Sequence, residues 1–415
     1  MSANFPDSET LRTALTLSGR APSFHNSQPW RWRVEPDRLH LYADPDRHLP
    51  HADPDRRDLL VSCGAALHHC TVGLAAMGWH ARVGRLPEVA DVDHLATIEM
   101  VPQRPGELDV MLAAAIDRRR TDRRRYSSRL VSRGDIALMG ARAARAGVML
   151  RQIELLPRLR QIVAESALKH AADPDYLAEL GAWSGRYGSV DGVPARNAPD
   201  SDPLSPMPAR VFAAPELRQP PQSSSGEDNA VIIALGTEAD DDMARFRAGE
   251  ATSLVLLSAT AMGLASCPVT EPLEIAETRE AVRADVFGSA GYPQMLLRIG
   301  WAPVNAEPLP TTPRRPLAEV AEWVGAPDPI RSDPICPGLT GAAALISRTG
   351  LDLAEFAWLR KHFDEFPNPP GVIEAVPRRG GPVAILAVPD HDADAVVEDG
   401  VEGVLIGQVV PDEDR

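Results

Sequence analysis

The stretch CGAALHHCTVGLAAMGW (residues 63–79) is matched without a gap by AGEATSLVLLSATAMGL (residues 248–264). Gly64 aligns with Gly249, and both stretches end in a Met-Gly pair. Each is apolar around most of a helix, which predicts two buried core helices that each stop at a glycine. Two alanine-rich helices could match by chance, whereas a true repeat would place a two-fold dimer within one chain.

The repeat and the composition divide the chain into segments. A true repeat predicts two related halves, residues 1–110 and 111–325. Within the second half, residues 171–228 are rich in Pro, Ser, Asp and Gly and carry no periodic pattern, which is typical of a lid or a disordered insert. A Pro-rich linker over 326–339 is expected to lead into a small α/β appendage, residues 340–415.

The appendage is predicted to contain an amphipathic helix, two strands and, between the strands, an acidic helix start in PDHDADAVVEDG (389–400). The helix is expected in GAAALISRTGLDLAEFAWLRKHF (341–363), and the strands in VAILAV (383–388) and GVLIGQVV (403–410). The end of the chain faintly resembles the terminus of the C-terminal domain of aminoimidazole ribonucleotide synthase-like proteins. That likeness covers a fragment, and no activity is inferred from it.

Charge and composition narrow the classes of partner. Lysine and arginine number 43 and aspartate and glutamate 58, a net charge of −15. Such a field disfavours nucleic acid and anionic membranes as partners. No apolar run approaches about 20 residues and no signal peptide opens the sequence, which predicts a soluble, cytoplasmic protein. The four cysteines form no C-x-x-C pair, so no metal ribbon or disulfide framework is expected.

Positive charge is concentrated in AAAIDRRRTDRRRYSSRLV (113–131), where six arginines surround Thr121. Runs of like charge are usually solvated surface. Arginine forks beside a hydroxyl also suit a dianionic phosphate, because each fork gives two charge-assisted hydrogen bonds. Both interpretations remain open on this run alone.

A second polar stretch, RAPSFHNSQPW (20–30), lies between an amphipathic run and an alternating segment. It could be an ordinary turn, since Pro, Ser and Asn end helices, or a surface that holds a flat polar ring.

Together these stretches resemble the FMN-dependent nitroreductases. The arginine run is similar to the family's R-R-S/T-x-R element, and RAPSFHNSQPW to its A-P-S-x-x-N-x-Q-P-W element. Residues 248–274 resemble its central helix and the loop that follows, and 292–320 its closing strand and basic C-terminal segment. The resemblance, strongest to the duplicated, single-chain Acg-type branch, implies an α+β fold in which central mixed or antiparallel sheets are flanked by helices.

The resemblance also implies a set of residues that contact the cofactor. The flavin phosphate and ribityl chain would contact Arg119, Arg120, Thr121 and Arg123, with Arg314 or Arg315 closing the phosphate end. Pro22 and Ser23 would face the ring system, and Asn26 and Gln28 would hold that platform or touch the polar edge of the flavin. Arg20 would also contact the cofactor. The other side of the ring would face Pro268, Val269 and Thr270. One departure is PVTE (268–271), where the family often has P-x-E-G, so an acidic residue is displaced and a glycine is missing.

The two halves have complementary losses. The first half carries the platform but no R-R-x-x-R opening, and the second half carries the arginines but reads ARAARAGVMLRQI where a platform would stand. One complete FMN site is therefore expected at the junction, in a chain that acts as a monomer with an internal pseudo-dimer.

The activity implied is transfer of a hydride from NAD(P)H through flavin N5 to a small-molecule electron acceptor, nitroaromatic or quinone-like. No side chain is predicted to be a catalytic acid, because solvent can supply protons. Two alternatives remain: an FMN-sequestering or storage protein with a lidded flavin and no turnover, and an interaction protein that has lost flavin. A colourless protein that stays colourless with added FMN would favour the latter.

Other polar residues have simpler explanations. The histidines of HLPHADPDRRDLL (48–60) and the pair His68-His69 could be metal ligands, but exposed turns and a helix face account for them, and no metal is predicted. Trp30, Trp32 and Trp79 are expected to anchor the core.

Overall fold

A computed structural model describes most of the first 325 residues and two later strands. The described residues are 5–88, 90–154, 156–200, 210–219, 228–303, 306–325, 373–376 and 384–387. The chain divides into two compact units, Met1–Asp333 and Pro334–Arg415.

The two repeated stretches form the paired central helices of the first unit. They are α2 (Arg57–Ala76) and α7 (Asp242–Ala261), 20 residues each and largely buried. The helices cross at their matched glycines: a Cβ on Gly64 would lie 2.1 Å from the Phe246 carbonyl oxygen, and one on Gly249 would lie 2.1 Å from the Val61 carbonyl oxygen. Backbones approach this closely only where no side chain intervenes. The predicted core helices are confirmed.

Both helices also end as predicted. Gly78 and Gly263, one residue past each C-cap, have φ of 89° and 79°. This left-handed conformation closes helix ends and favours glycine. By length and composition alone, α2 is the one described helix that could cross a membrane. Its burial against α7 gives it instead the place of a core helix.

The first half carries a five-stranded sheet. Its strands are β1 (Trp30–Val34), β2 (Leu39–Ala43), β3 (Trp79–Arg85), β4 (His94–Pro102) and β11 (Ala321–Trp323), in the order β11-β1-β2-β4-β3. All neighbours are antiparallel except β11, which runs parallel to β1. Trp30 and Trp32 are buried on the core side and Trp79 packs against the same cluster, as expected. The last strand of this sheet thus comes from the far end of the second half.

The second half carries a four-stranded antiparallel sheet. Its strands are β5 (Met149–Gln152), β8 (Val231–Thr237), β9 (Ala265–Pro268) and β10 (Tyr292–Gly300), in the order β5-β8-β10-β9. The remaining longer helices are α1 (Ser8–Gly19), α3 (Glu107–Ile116), α4 (Arg133–Arg145), α5 (Leu156–Ala171) and α9 (Ala276–Val286), and the short ones are α8 (Glu271–Glu274) and α10 (Leu317–Val320). The α+β class, with mixed and antiparallel sheets flanked by helices, is confirmed.

The segment 171–228 is more ordered than its composition indicates. It contains α6 (Pro174–Ala182) and two short parallel strands, β6 (Ser184–Arg186) and β7 (Val193–Pro194). The expectation of a segment without helices or strands was wrong for this described part of it. The start of α6 did carry a local signal: the Asp173 carboxylate accepts hydrogen bonds from two backbone amides of the first turn, and Pro174 occupies the first helical position.

In the second unit the structure describes an antiparallel pair, β12 (Ile373–Val376) and β13 (Ala384–Ala387). The latter lies within the strand predicted over 383–388. The predicted linker, the helix after residue 340 and the strand at 403–410 lie outside the described residues.

Candidate functional site

A cavity lies where the two halves meet the described part of segment 171–228, which is called the insert below. Its walls come from the stretch before β1, from α2 and α7, from the arginine run, from the insert and from the loop after β9. The space between them is about 1460 Å³, including the part open to solvent.

Ten of the fourteen predicted site residues line this cavity: Pro22, Ser23, Asn26, Arg119, Thr121, Arg123, Pro268, Val269, Thr270 and Arg314. The other four, Arg20, Gln28, Arg120 and Arg315, do not. Ser23 of the first half and Thr121 of the second therefore share one cavity, as a single junction site requires. The assignment of these residues to flavin stays a prediction.

The stretch from Ser23 to Gln28 is held in an unusual conformation. His25, Asn26 and Gln28 have φ of 46°, 56° and 52°, in the left-handed region that non-glycine residues rarely adopt. The backbone amide of Gln28 donates to Ser23 Oγ (3.0 Å). The backbone amide of Phe24 donates to the Ser62 hydroxyl of α2 (3.0 Å). Strained backbone of this kind persists only where its surroundings fix it, and it is frequent at ligand sites.

The two amide side chains of this stretch bind the insert. Asn26 Nδ2 donates to the Gly192 carbonyl oxygen (3.0 Å), and Gln28 Nε2 donates to that of Val190 (2.9 Å). Gln28 Oε1 also accepts from the backbone amide of Arg315 (2.8 Å). Gln28 and Arg315 therefore lie behind the cavity wall, where they join the N-terminal stretch to the insert and to the end of the second half.

One end of the cavity is strongly cationic. Arg119 is 6% exposed, and its Nε and Nη1 have no hydrogen-bond partner among the described residues. Burial, with smaller contributions from Arg120 and Arg20, lowers the pKa of Arg119 to about 9. Burial and the nearby Arg119 charge lower the pKa of Arg314 well below its usual value. Buried cations are normally paired, so this end is suited to an anionic group.

The rest of the arginine run is held by other contacts. Thr121 and Asp122 pair with Ser266 of β9, which joins the run to the second sheet. Arg123 lies over the ring of Phe212 at 4.8 Å and donates to the Asn197 carbonyl oxygen (3.1 Å). Its guanidinium therefore faces the insert, whereas the family resemblance implied a contact with the flavin phosphate or ribityl chain.

The opposite end of the cavity contains titratable groups that sequence reasoning missed. Asp58 is buried at the start of α2, and burial raises its pKa to about 6, an effect that the adjacent Arg57 opposes. Glu271, the displaced acid of PVTE, lies 3.5 Å from His170 Nδ1. His25 stands inside a quoted motif and could have been found. Arg210 lies in an insert without a sequence pattern, and no local signal indicated it.

The alternative metal site has other contacts in the structure. The Nδ1 atoms of His68 and His69 each lie 2.8 Å from the Ser253 hydroxyl of α7. Within the described part of the chain, no group of three or more His, Cys, Asp or Glu side chains could hold a metal ion.

The chain is similar over most of its length to two proteins of Mycobacterium tuberculosis (strain ATCC 25618 / H37Rv). It is 63% identical over 323 residues to "Putative NAD(P)H nitroreductase Rv3131", a match that covers 78% of this chain and 94% of the relative. It is 35% identical over 325 residues to "Putative NAD(P)H nitroreductase acg", a match that covers 75% of this chain and 95% of the relative. No family model matches the chain.

Solved structures give weaker likenesses. A BluB-like flavoprotein from Clostridium difficile 630 has a TM-score of 0.34 at 14% identity, covering 51% of this chain and 98% of its own. The FMN-dependent nitroreductase NfnB from Mycobacterium smegmatis, in complex with NADPH, has a TM-score of 0.33 at 15% identity, covering 52% and 98%. At these scores neither likeness bears on the function of this chain. The two relatives decide the assignment: the chain belongs to the nitroreductase family, in its Acg-like branch.

Proposed function

We propose that this protein is an FMN-dependent NAD(P)H oxidoreductase of the nitroreductase type. The observation that carries the proposal is the buried Arg119 guanidinium, which has no partner in the described chain and shares a cavity with the Pro22-Ser23 wall. The phosphate of FMN would bind Arg119 and Arg314, and its ring would lie between Pro22-Ser23 and Pro268–Thr270. The names of the curated relatives support the nicotinamide part.

The residues present fit that cofactor chemically. A dianionic phosphate would give the unpaired guanidinium the hydrogen bonds that it lacks, and Thr121 adds a hydroxyl on the same wall. Bound FMN would supply the redox chemistry, a two-electron transfer from NAD(P)H to a nitroaromatic or quinone-like acceptor. The protein would bind and orient the ring, and its fixed positive charge would favour negative charge developing nearby.

The proposal is tested first by the absorbance spectrum of the purified protein and by titration of the apo-protein with FMN. We expect a yellow protein, and an apo-form that binds FMN with one site per chain. Two sites per chain would contradict a single junction site. A protein that stays colourless with added FMN would refute the proposal and favour an interaction protein.

A storage function is a second candidate, because described residues of the insert form part of the cavity wall. Asn26 and Gln28 bind carbonyl groups of the insert, and Val193, Asn197 and Phe212 line the same cavity. Such a wall could exclude NAD(P)H and large acceptors. Stopped-flow mixing with NADH and with NADPH separates the two functions: bleaching of the flavin absorbance supports the oxidoreductase, and no bleaching with either supports storage.

We further propose that the protein is a cytoplasmic monomer whose partners are small molecules, not nucleic acid or membranes. The matched central helices already supply the contact that two subunits would otherwise make. Light scattering at several protein concentrations should give the mass of one chain, and a concentration-dependent dimer would contradict this.

A further inference from the structure

Arg210 contacts four side chains at and beside the cavity. Its Nη1 lies 2.8 Å from His25 Nε2 and 2.9 Å from the Tyr176 hydroxyl oxygen. Its Nη2 donates to Thr270 Oγ1 (3.3 Å) and to a carboxylate oxygen of Glu274. A guanidinium has donors only, so every one of these partners must accept.

This requirement fixes the tautomer of His25. Because Nε2 accepts from Arg210, the proton of the neutral ring must be on Nδ1. His25 is 8% exposed, and its Nδ1 has no partner among the described residues. Burial first, then the charges of Arg210, Arg123 and His170, lower the pKa of His25 well below its usual value. The ring that lines the cavity is therefore a neutral hydrogen-bond donor.

The same reasoning applies to Thr270. Its hydroxyl oxygen accepts from Arg210, and that is the one hydrogen bond of this side chain within the described residues. The hydroxyl proton is left to be donated elsewhere. Thr270 is half-buried and lines the cavity, so the open direction is toward a ligand.

We propose that Arg210 is a positioning residue that makes His25 and Thr270 hydrogen-bond donors, so that this end of the cavity recognises a carbonyl-bearing edge of a flat ring. The inference rests on the proposed function for the identity of the ring. The carbonyl edge could belong to the flavin itself or to a quinone-like acceptor, which present the same chemistry.

The role of Arg210 is tested in the apo-protein, independently of flavin. Histidine ¹⁵N NMR should show wild-type His25 neutral, with its proton on Nδ1, between about pH 5 and pH 8. Arg210→Gln removes the charge and replaces the donor-only guanidinium with a shorter amide whose oxygen can also accept from His25, so the pKa of His25 should rise and the tautomer should become mixed. Arg186→Gln, an exposed arginine of the same insert, is the control and should leave His25 unchanged. An unchanged His25 in Arg210→Gln overturns the proposal.

The donor role of Thr270 is tested with two small substitutions that spare the ion pair. Thr270→Val removes the hydroxyl and Thr270→Ser keeps it. If the flavin provides the carbonyl edge, Thr270→Val should weaken FMN binding about five- to tenfold. If the acceptor provides it, FMN binding should hold and KM for menadione should rise by a similar factor, with kcat little changed. Serine should restore wild-type values in either case.

The outcomes separate the inference from the function on which it rests. A wild-type protein that binds no FMN refutes the proposed function, while the His25 measurement still decides the role of Arg210. Normal FMN affinity and normal KM in Thr270→Val would refute recognition by Thr270, even where the protein is an active flavoenzyme.

Discussion

Replacing Arg119 with methionine tests two effects of its buried charge separately, the destabilisation of the apo-protein and the binding of FMN. The side chain is 6% exposed, and burial lowers its pKa from the ordinary value of arginine to about 9. At 1.36 kcal/mol per pKa unit, this corresponds to a destabilisation of the charged folded apo-protein on the order of 5 kcal/mol, as an upper bound. The unfolded chain binds this proton more tightly than the folded chain does. The cost is therefore fully present below about pH 9 and fades as the pH rises toward the ordinary pKa of arginine.

We expect apo Arg119→Met to be more stable than the wild type, because an apolar side chain that replaces a buried, unpaired charge often stabilises a protein by about 1–4 kcal/mol. FMN affinity should fall about tenfold to a hundredfold, because each charge-assisted hydrogen bond contributes about 1.5–3 kcal/mol. Urea unfolding of the apo-protein at pH 7 measures the first effect, and FMN titration followed by flavin fluorescence measures the second.

Arg133→Met is the matched control. Arg133 is exposed at the start of α4, so both quantities should stay within about 0.5 kcal/mol of wild type. The reasoning is refuted if Arg119→Met lowers the stability of the apo-protein while FMN binding is unchanged. That pattern would mean that the guanidinium stabilises the folded chain and does not serve a ligand.

Three further outcomes are expected. Gly64→Ala should destabilise the protein by at least about 1–3 kcal/mol, because the added Cβ meets backbone atoms of α7. The control is Gly181→Ala in α6, where the added Cβ meets nothing within 4 Å, so this change should be neutral or stabilising. Equal urea midpoints for the two variants would contradict the helix crossing. Burial lowers the pKa of His69 well below 6.5, so protonation favours the unfolded chain. As the pH is lowered from about 6.5 to 5, the free energy of unfolding should fall less steeply in His69→Leu than in wild type. Parallel pH profiles would count against this. A protein truncated after Gly325 should keep its FMN affinity, since the cavity is lined by residues before that point, and loss of holoprotein would show that the second unit is required.

The sequence correctly predicted those features that depend on residues close together in the chain. The matched helices and their glycine ends follow from apolar periodicity and from the conformational freedom of glycine at Gly78 and Gly263. Six of the ten predicted site residues on the cavity belong to two motifs with distinctive composition, the stretch before β1 and the arginine run. The other four lie at the end of β9 and the loop after it, and in the basic segment that follows β10.

The other site features depend on contacts between distant residues. Arg210 meets His25 across 185 positions, and Gln28 meets Arg315 across 287. Neither contact leaves a periodic trace in its own segment, so sequence alone could not indicate Arg210 or place Gln28 behind the wall. The helix α6 is different, because Asp173 and Pro174 are a recognisable start signal within a segment that composition marked as a loop.

The parallel strand β11 affects how the chain can be synthesised and divided. Trp32 pairs with Ala321, so the first sheet lacks its edge until almost the whole first unit has left the ribosome. Closing that loop late has an entropic cost that local hairpins avoid. A gene cut between residues 110 and 111 would therefore yield an N-terminal fragment with an open sheet edge, which can pair with other chains. The first half therefore does not complete its own sheet without a strand from the second.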